Sequence, residues 1–322
     1  MRLGHQVVSA PHQATMMDNA LLLLSGVIAA GVGGDLFVRG AVGLAHWARI
    51  PAGIIGATVA AFATSSPECA VAISAALAGT PGISLGDALG SNVVNIALIL
   101  GLVLLFADLH VPRGVLSRDF PVALLAPCLL AVLALDGVLS RLDGVMLLVV
   151  FATWLMATVL EARRQRSAVE QVVVEQRRGR TVLACLAGLA LLIVAGRLIV
   201  LGATGLAQVF GLGEFVIGAT VVAIGTSIPE LATAVIARLR GHDEIGLGTV
   251  LGSNIFNGFW IVAVTAIITP IAVPWHEVGV SLGFGVITVA FLFPVRDGML
   301  PRKCGALLLA LYIVYVATML RR

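Results

Sequence analysis

Charge is what this chain has least of. Only 11% of its 322 residues are Asp, Glu, Lys or Arg, against about 25% in an average soluble domain. Hydrophobic residues make up 59%, and the mean hydropathy is +1.07. A water-soluble globule of this size could not cover so much apolar surface, because a large part of any folded surface stays exposed. A cytosolic enzyme, a disordered chain and a nucleic-acid-binding module are therefore excluded. Lysine is nearly absent, with Lys303 alone. Cys69, Cys128, Cys185 and Cys304 show no Cys-x-x-Cys spacing and lie in or beside apolar runs. They read as small buried hydrophobes, not as a disulfide or zinc framework. The first 18 residues hold Arg2, His5 and His12 but no apolar core, so they do not read as a secretory signal. The apolar runs do not alternate with polar residues, which excludes a transmembrane β-barrel.

What is present is a series of apolar runs of spanning length, about 20 residues each. They fall at 19–46, 53–78, 85–107, 119–138, 143–160, 181–207, 214–238, 246–269, 277–295 and 303–320. The fold class expected is an all-α polytopic membrane protein with ten transmembrane helices. The 36 glycines suit close helix packing in lipid. One clearly polar segment, 161–180, carries Arg163, Arg164, Arg166, Arg177, Arg178 and Arg180. It divides the chain into a polar N-terminal segment (1–18), a first five-helix repeat (19–160), this basic loop, and a second five-helix repeat (181–322). Positively charged loops face the cytoplasm. With the central loop there, the same side collects Arg49, Arg113, Arg118, Arg238, Arg240, Arg296, Arg302 and Lys303, and both termini lie outside. Only Arg2, Arg141, Arg321 and Arg322 fall on the other side. The localisation expected is a bacterial-type cytoplasmic (inner) membrane.

The halves repeat each other. Gly56 to Glu68 (GATVAAFATSSPE) matches Gly218 to Glu230 (GATVVAIGTSIPE), and Leu89-Gly-Ser-Asn92 with Asn95 matches Leu251-Gly-Ser-Asn254 with Asn257. Both blocks share one ungapped offset. Five spans per repeat force the halves to sit upside down relative to each other, an inverted repeat whose site lies near the midplane between halves. Acids are rare inside the spans, yet Glu68 and Glu230 occupy equivalent places. A carboxylate at mid-membrane costs about 2.5–3.5 kcal/mol on insertion scales, and no lysine lies inside any span. A cation from solution is the simplest partner. Thr64, Ser65, Thr226 and Ser227 precede these acids on one helical face. Pro67 and Pro229 break each helix there, freeing carbonyls of Phe62, Ala63, Ile224 and Gly225 or of the nearby Ala61 and Ala223. Ser91 with Asn95, and Ser253 with Asn257, line the next helix of each repeat. Such a set of hard oxygens suits Ca²⁺, with Na⁺ ions as alternating occupants. Ser65 and Ser66 have no histidine or lysine base in their spans, so an intramembrane enzyme is not expected.

The motifs Ala-Thr-Ser-Ser-Pro-Glu68 with Gly-Ser-Asn-Val-Val-Asn95, and Gly-Thr-Ser-Ile-Pro-Glu230 with Gly-Ser-Asn-Ile-Phe-Asn257, resemble the α-repeats of the sodium/calcium exchanger family, within the calcium/cation antiporter superfamily. The chain is most similar to its compact prokaryotic members. The resemblance implies ion ligands at Ala61, Thr64, Ser65, Glu68, Ser91, Asn95, Ala223, Thr226, Ser227, Glu230, Ser253 and Asn257. It implies Na⁺/Ca²⁺ antiport by alternating access, with the first and sixth spans sliding across a fixed core. Ca²⁺, Na⁺ and lipid are the partners; no cofactor, nucleic acid or obligate protein partner is implied. Antiport of H⁺ against Ca²⁺ or another divalent cation is the alternative, because protons compete for the same carboxylates. Proton-coupled members tend to carry Gly-Asn-Ala before the acid. A passive channel is a third reading. Some relatives carry Asp where this chain has Asn257, so the site's charge is expected to stop at −2. Ala63 stands where the second repeat has Gly225. Asp87, one turn before Ser91, could attract cations, but a solvated helix start is the reading preferred. Asp35 could pair with Arg197 or with Arg39. His46, His110, His242 and His276 read as interfacial, and Glu214 and Glu277 as helix-start acids.

Overall fold

The computed structural model describes residues 10–47, 58, 61–111, 115–165, 178–239, 243–293 and 298–321. Across them the protein is mostly helical. The first half comprises α1 (Ala10–Trp47), α2 (Ala61–Thr64), α3 (Ser66–Ala78), α4 (Pro81–Val93), α5 (Gly101–Phe106), α6 (Phe120–Leu133) and α7 (Arg141–Gln165). The second comprises α8 (Arg178–Phe210), α9 (Glu214–Ile217), α10 (Ala223–Thr226), α11 (Ile228–Leu239), α12 (Asp243–Ile255), α13 (Val262–Ile268), α14 (Trp275–Phe291) and α15 (Arg302–Met319). π-helical turns at Val94–Leu100, Gly218–Val222 and Phe256–Ile261 join α4 to α5, α9 to α10 and α12 to α13.

Among the described residues, seven helices are long and apolar enough to cross a membrane, and eight when the bent pair Glu214–Thr226 and Ile228–Leu239 counts as one. The shorter apolar helices Ser66–Ala78 and Trp275–Phe291 stand where the second and ninth spans are expected. Most of 53–60 and all of 166–177 lie outside the described residues. Helix α1 begins at Ala10, earlier than the apolar run that defines it in the sequence. Local chemistry sets several boundaries. Gly79 ends α3 at φ 78°, and its N–H caps the carbonyls of Ala75 and Ala76. Only glycine takes that left-handed turn without strain. Pro81 then opens α4, where its missing N–H costs nothing.

The spanning stretches Pro81–Phe106 and Gly246–Ile268 are each 78% buried, while those in α1 and α8 are only 22% and 29% buried. The former pair makes the centre of the molecule; the latter, with Arg141–Glu161 and Arg302–Met319 at 28% each, lie at its periphery. Glycines let the centre close. A Cβ on Gly86 would stand 2.2 Å from the Phe215 carbonyl oxygen, one on Gly90 2.5 Å from that of Ala219, and one on Gly218 2.5 Å from that of Ile83. The first half's α4 thus lies backbone to backbone on the second half's α9 and the turns after it. Helices α1 and α8 pack along each other, with Gly26 against Ile199 and Gly202 against Leu23.

The repeat is visible in the helix boundaries. α2 and α10, and α4 and α12, start and stop at equivalent residues. β1 (Leu109–His110), β2 (Val138–Leu139), β3 (Ile271–Ala272) and β4 (Met299–Leu300) make two small antiparallel ladders. Each joins one half to the other, β1 to β4 and β2 to β3, with Leu109 opposite Leu300 and Leu139 opposite Ile271. Near the first ladder, Arg238 pairs with Asp243 and donates to the Asp108 carbonyl at 3.0 Å, while the Arg302 guanidinium donates to the Leu105 carbonyl at 2.7 Å. Arg118 bridges Asp119 at 2.7 Å and Glu161 at 3.0 Å. Glu214 and Glu277 lie in the first turns of α9 and α14, as expected. The cysteines require a correction. Cys128 is exposed, and Cys69 and Cys304 are half-buried; all three are free. An apolar neighbourhood on a membrane helix does not distinguish protein from lipid as the covering phase. Cys185 lies outside the residues whose side chains are described.

Gly86→Ala is expected to lower the thermal unfolding midpoint in detergent, because overpacking against fixed backbone costs about 1–3 kcal/mol or more. Gly31→Ala, where a Cβ would meet nothing within 4 Å, should leave the midpoint unchanged or slightly higher. Equal midpoints for the two variants would contradict the close helix approach.

Candidate functional site

The site is organised by two broken helices. Proline has no N–H and clashes with the preceding turn, so the helix resets at Ser65 (φ −82°, ψ 10°) and α3 starts afresh with Pro67 and Glu68 in its first turn. In the second half Glu230 likewise lies in the first turn of α11, which is bent by 42° from the segment before it. A helix start presents unpaired N–H groups and the positive end of its dipole. Each carboxylate therefore stands where the backbone favours negative charge. The expected release of carbonyls is only partly met. The Ala61 oxygen accepts the Ser65 N–H at 2.9 Å and the Thr64 hydroxyl at 3.2 Å. The Ala223 oxygen accepts the Ser227 N–H at 3.2 Å, with the Thr226 hydroxyl oxygen 3.4 Å away. The Ala63 oxygen takes the Ser66 hydroxyl, because a side-chain donor replaces the N–H that Pro67 lacks.

All twelve residues singled out from the sequence are buried: Ala61, Thr64, Ser65, Glu68, Ser91, Asn95, Ala223, Thr226, Ser227, Glu230, Ser253 and Asn257. The structure joins many of them across the halves. Glu230 Oε1 accepts the hydroxyls of Ser65 and Ser253, each at 3.1 Å, and Thr64 Oγ1 lies 3.4 Å from Ser253 Oγ. Glu68 Oε1 accepts the hydroxyl of Ser227 at 3.4 Å. Each glutamate thus takes a hydroxyl from the other half's break. Two asparagines tie the crossing reciprocally. Asn92 Nδ2 donates to the Asn254 carbonyl at 3.3 Å, and Asn254 Nδ2 to the Asn92 carbonyl at 3.0 Å. Asn95 Nδ2 donates to Asn254 Oδ1 at 3.0 Å. Neither side-chain polar atom of Asn257 has a partner, and Glu68 Oε2 and Glu230 Oε2 have none.

Asp87 requires the largest correction. It is not solvated: its exposure is 0%. Its Oδ1 accepts the Thr226 hydroxyl at 2.9 Å and the Ser91 hydroxyl at 3.4 Å, and its Oδ2 has no partner. The expectation of a solvated helix start fails because α4 opens six residues earlier, at Pro81, and the close glycine packing carries its first turns into the protein. The signal available in the sequence was its spacing of one helical turn from Ser91. Asp35 and Arg197, by contrast, lie on exposed faces of α1 and α8; the side chains of Arg39, His46 and His242 lie outside those described. His110 and His276 are exposed, as an interfacial position requires.

Among the described residues the ion pairs involve Arg118, Arg238 and His276, and none reaches Glu68, Glu230 or Asp87. No group of three or more His, Cys, Asp or Glu side chains among them is close enough to hold a metal ion by itself. A cation here would need hydroxyl and amide oxygens alongside carboxylates, which suits a hard ion. A separate cavity of about 420 Å³ beside Ala61 is walled by Phe62, Phe151, Trp154, Phe256 and Trp260. It holds no carboxylate and does not suit an ion.

Comparison with known proteins shows the family of the chain. The family model described as sodium/calcium exchanger protein matches residues 19–160 and 181–321. The chain is 36% identical over 316 residues to the inner membrane protein YrbG of Escherichia coli (strain K12), covering 94% of this chain and 97% of that protein. It is 25% identical to the sodium/calcium exchanger MaX1 of Methanosarcina acetivorans, covering 94% and 98%. A solved structure of the sodium-calcium exchanger NCX_Mj, soaked with Na⁺ and Sr²⁺, superposes with a TM-score of 0.68 at 31% identity, covering 94% of this chain and 98% of that one.

The asparagine crossing has a measurable consequence. A buried polar group left without its partner costs about 1–3 kcal/mol. Asn92→Ala and Asn254→Ala should both lower the thermal midpoint, and Asn254→Ala more, since it also strips Asn95 of its acceptor. Unchanged midpoints would show that the pair does not hold the halves together.

Proposed function

The chain belongs to the sodium/calcium exchanger family, a family of membrane antiporters, and from that premise we propose that it exchanges Na⁺ for Ca²⁺ by alternating access. One observation carries the reading: two fully buried glutamates, Glu68 and Glu230, each take hydroxyls from the opposite half and have no basic partner among the described residues. Ca²⁺ supplies the two positive charges that the pair lacks. Thr64, Ser65, Ser91, Thr226, Ser227 and Ser253, the amides of Asn95 and Asn257 and the carbonyls of Ala61 and Ala223 complete its oxygen shell. Na⁺ ions take over the same oxygens, and the two cargoes exclude each other. Exclusive occupancy is what couples their movements.

The architecture proposed is ten spans in two inverted repeats, 19–160 and 181–322, with the segment 161–180 in the cytoplasm and both termini outside. The end contacts support it. The β1–β4 ladder and the Arg238, Arg302 and Arg118 contacts all link segments assigned to the cytoplasmic side, whereas the β2–β3 ladder links segments assigned to the outer side. Helices α1 and α8 are the moving pair. They pack extensively on each other, and glycines line the crossing.

The test is radioactive calcium uptake into proteoliposomes loaded with Na⁺ and diluted into Na⁺-free medium. Wild-type uptake should require the outward Na⁺ gradient. Glu68→Gln and Glu230→Gln should reduce it to background, since each removes a charge that Ca²⁺ needs. Uptake driven only by a pH gradient would assign the coupling ion to H⁺ and leave the site standing; near-normal uptake in either variant would overturn the site. In a cysteine-free background, Gln171→Cys should react with an impermeant maleimide only from the cytoplasmic face. Labelling from outside would reverse the orientation.

A further inference from the structure

The two halves of the site are not equivalent, and one residue accounts for the difference. Thr64, Ser65 and Ser253 gather at Glu230. Their repeat equivalents are Thr226, Ser227 and Ser91, which symmetry would gather at Glu68. Only Ser227 does so. Thr226 and Ser91 turn instead to Asp87 Oδ1. The position equivalent to Asp87 is Thr249, so no acid competes for hydroxyls in the other half. Asp87 is as buried as the two glutamates, and Thr226, which donates to it, adjoins Ser227, which donates to Glu68. Glu68 Oε2, Asp87 Oδ2 and Glu230 Oε2 all lack partners. The buried carboxyl groups at the crossing are therefore three, one more than the glutamate pair alone provides.

We propose that Asp87 is a third carboxylate of the cation site and that, with the hydroxyl oxygens of Thr226 and Ser91, it holds one monovalent cation beside the Glu68–Glu230 pair. The proposal rests on the exchange reading above. A carboxylate and two hydroxyls offer one negative charge and too few oxygens for a divalent ion, which takes 6–8. They match the charge of a single Na⁺. Hydroxyls that donate to Asp87 in this structure keep free lone pairs toward a cation. Asp87 would also restore the negative charge that Asn257 does not supply.

The experiment is equilibrium binding of ²²Na⁺ and, separately, ⁴⁵Ca²⁺ to the purified full-length protein in detergent, for wild type, Asp87→Asn and Asp87→Thr. The first variant is nearly isosteric, and the second installs the residue that the fold accepts at position 249. Size-exclusion chromatography checks that each is monodisperse. Both variants should bind one Na⁺ fewer per protein at saturation, with a larger change in Na⁺ than in Ca²⁺ half-saturation. Unaltered Na⁺ stoichiometry in a folded variant overturns the proposal. So does an equal loss of both ions, which would place Asp87 in the calcium position. A wild-type protein that binds neither ion would sink the exchange reading itself, a result distinguishable from either of these.

Discussion

The structure depends on one constraint: carboxylates buried where the two halves cross, with no arginine or lysine among the described residues to meet them. Three such groups at roughly 2.5–3.5 kcal/mol each on insertion scales sum to about 8–10 kcal/mol, comparable to the net stability of a whole domain. The surrounding features answer that cost. Proline-reset helices place Glu68 and Glu230 at positive helix ends, hydroxyls from the opposite half donate to them, and the Asn92–Asn254 pair holds the crossing shut. Glycine at positions 86, 90 and 218 brings the backbones near enough for those bonds to form.

Sharing donors across the halves makes each acid's environment the property of its counterpart. A shift of one half against the other would lengthen Ser65 to Glu230 and Ser227 to Glu68 together. The two glutamates are therefore coupled mechanically, and neither half alone supplies every donor to its own glutamate. The departure at Asp87 divides the hydroxyls unequally, so the two halves of the crossing do not carry the same number of buried carboxyl groups.

Much of this was legible in the sequence because duplication filters out accident. Glu68 and Glu230, their Thr-Ser-x-Pro contexts and the Gly-Ser-Asn motifs stand out once the halves are aligned, and every residue chosen that way is buried. The same filter hid Asp87, whose partner position is Thr249: a criterion built on symmetry discards what breaks it. The Asn92–Asn254 bonds were also not legible, because π-helical turns follow each motif and shift which side chains face across. The fate of the Ala63 carbonyl, left without a donor by Pro67, depended on Ser66, whose equivalent is Ile228. Hydropathy found the apolar runs, but α3 and α14 are apolar helices shorter than a full span, and their depth in a membrane is a matter of tertiary packing.

Helices α1 and α8 are held differently from the centre. Their outer faces meet lipid, with only 22% and 29% of their spanning stretches buried in protein, while the polar crossing lies elsewhere. Displacing such a pair along its axis breaks apolar contacts and drags an oily surface past acyl chains. Part of the work of that motion is then done against the bilayer, at a fraction of a kcal/mol per ångström of mismatch. Under the proposed sliding of this pair, lipid chain length would be a thermodynamic variable of the protein, acting on the balance between its two end states.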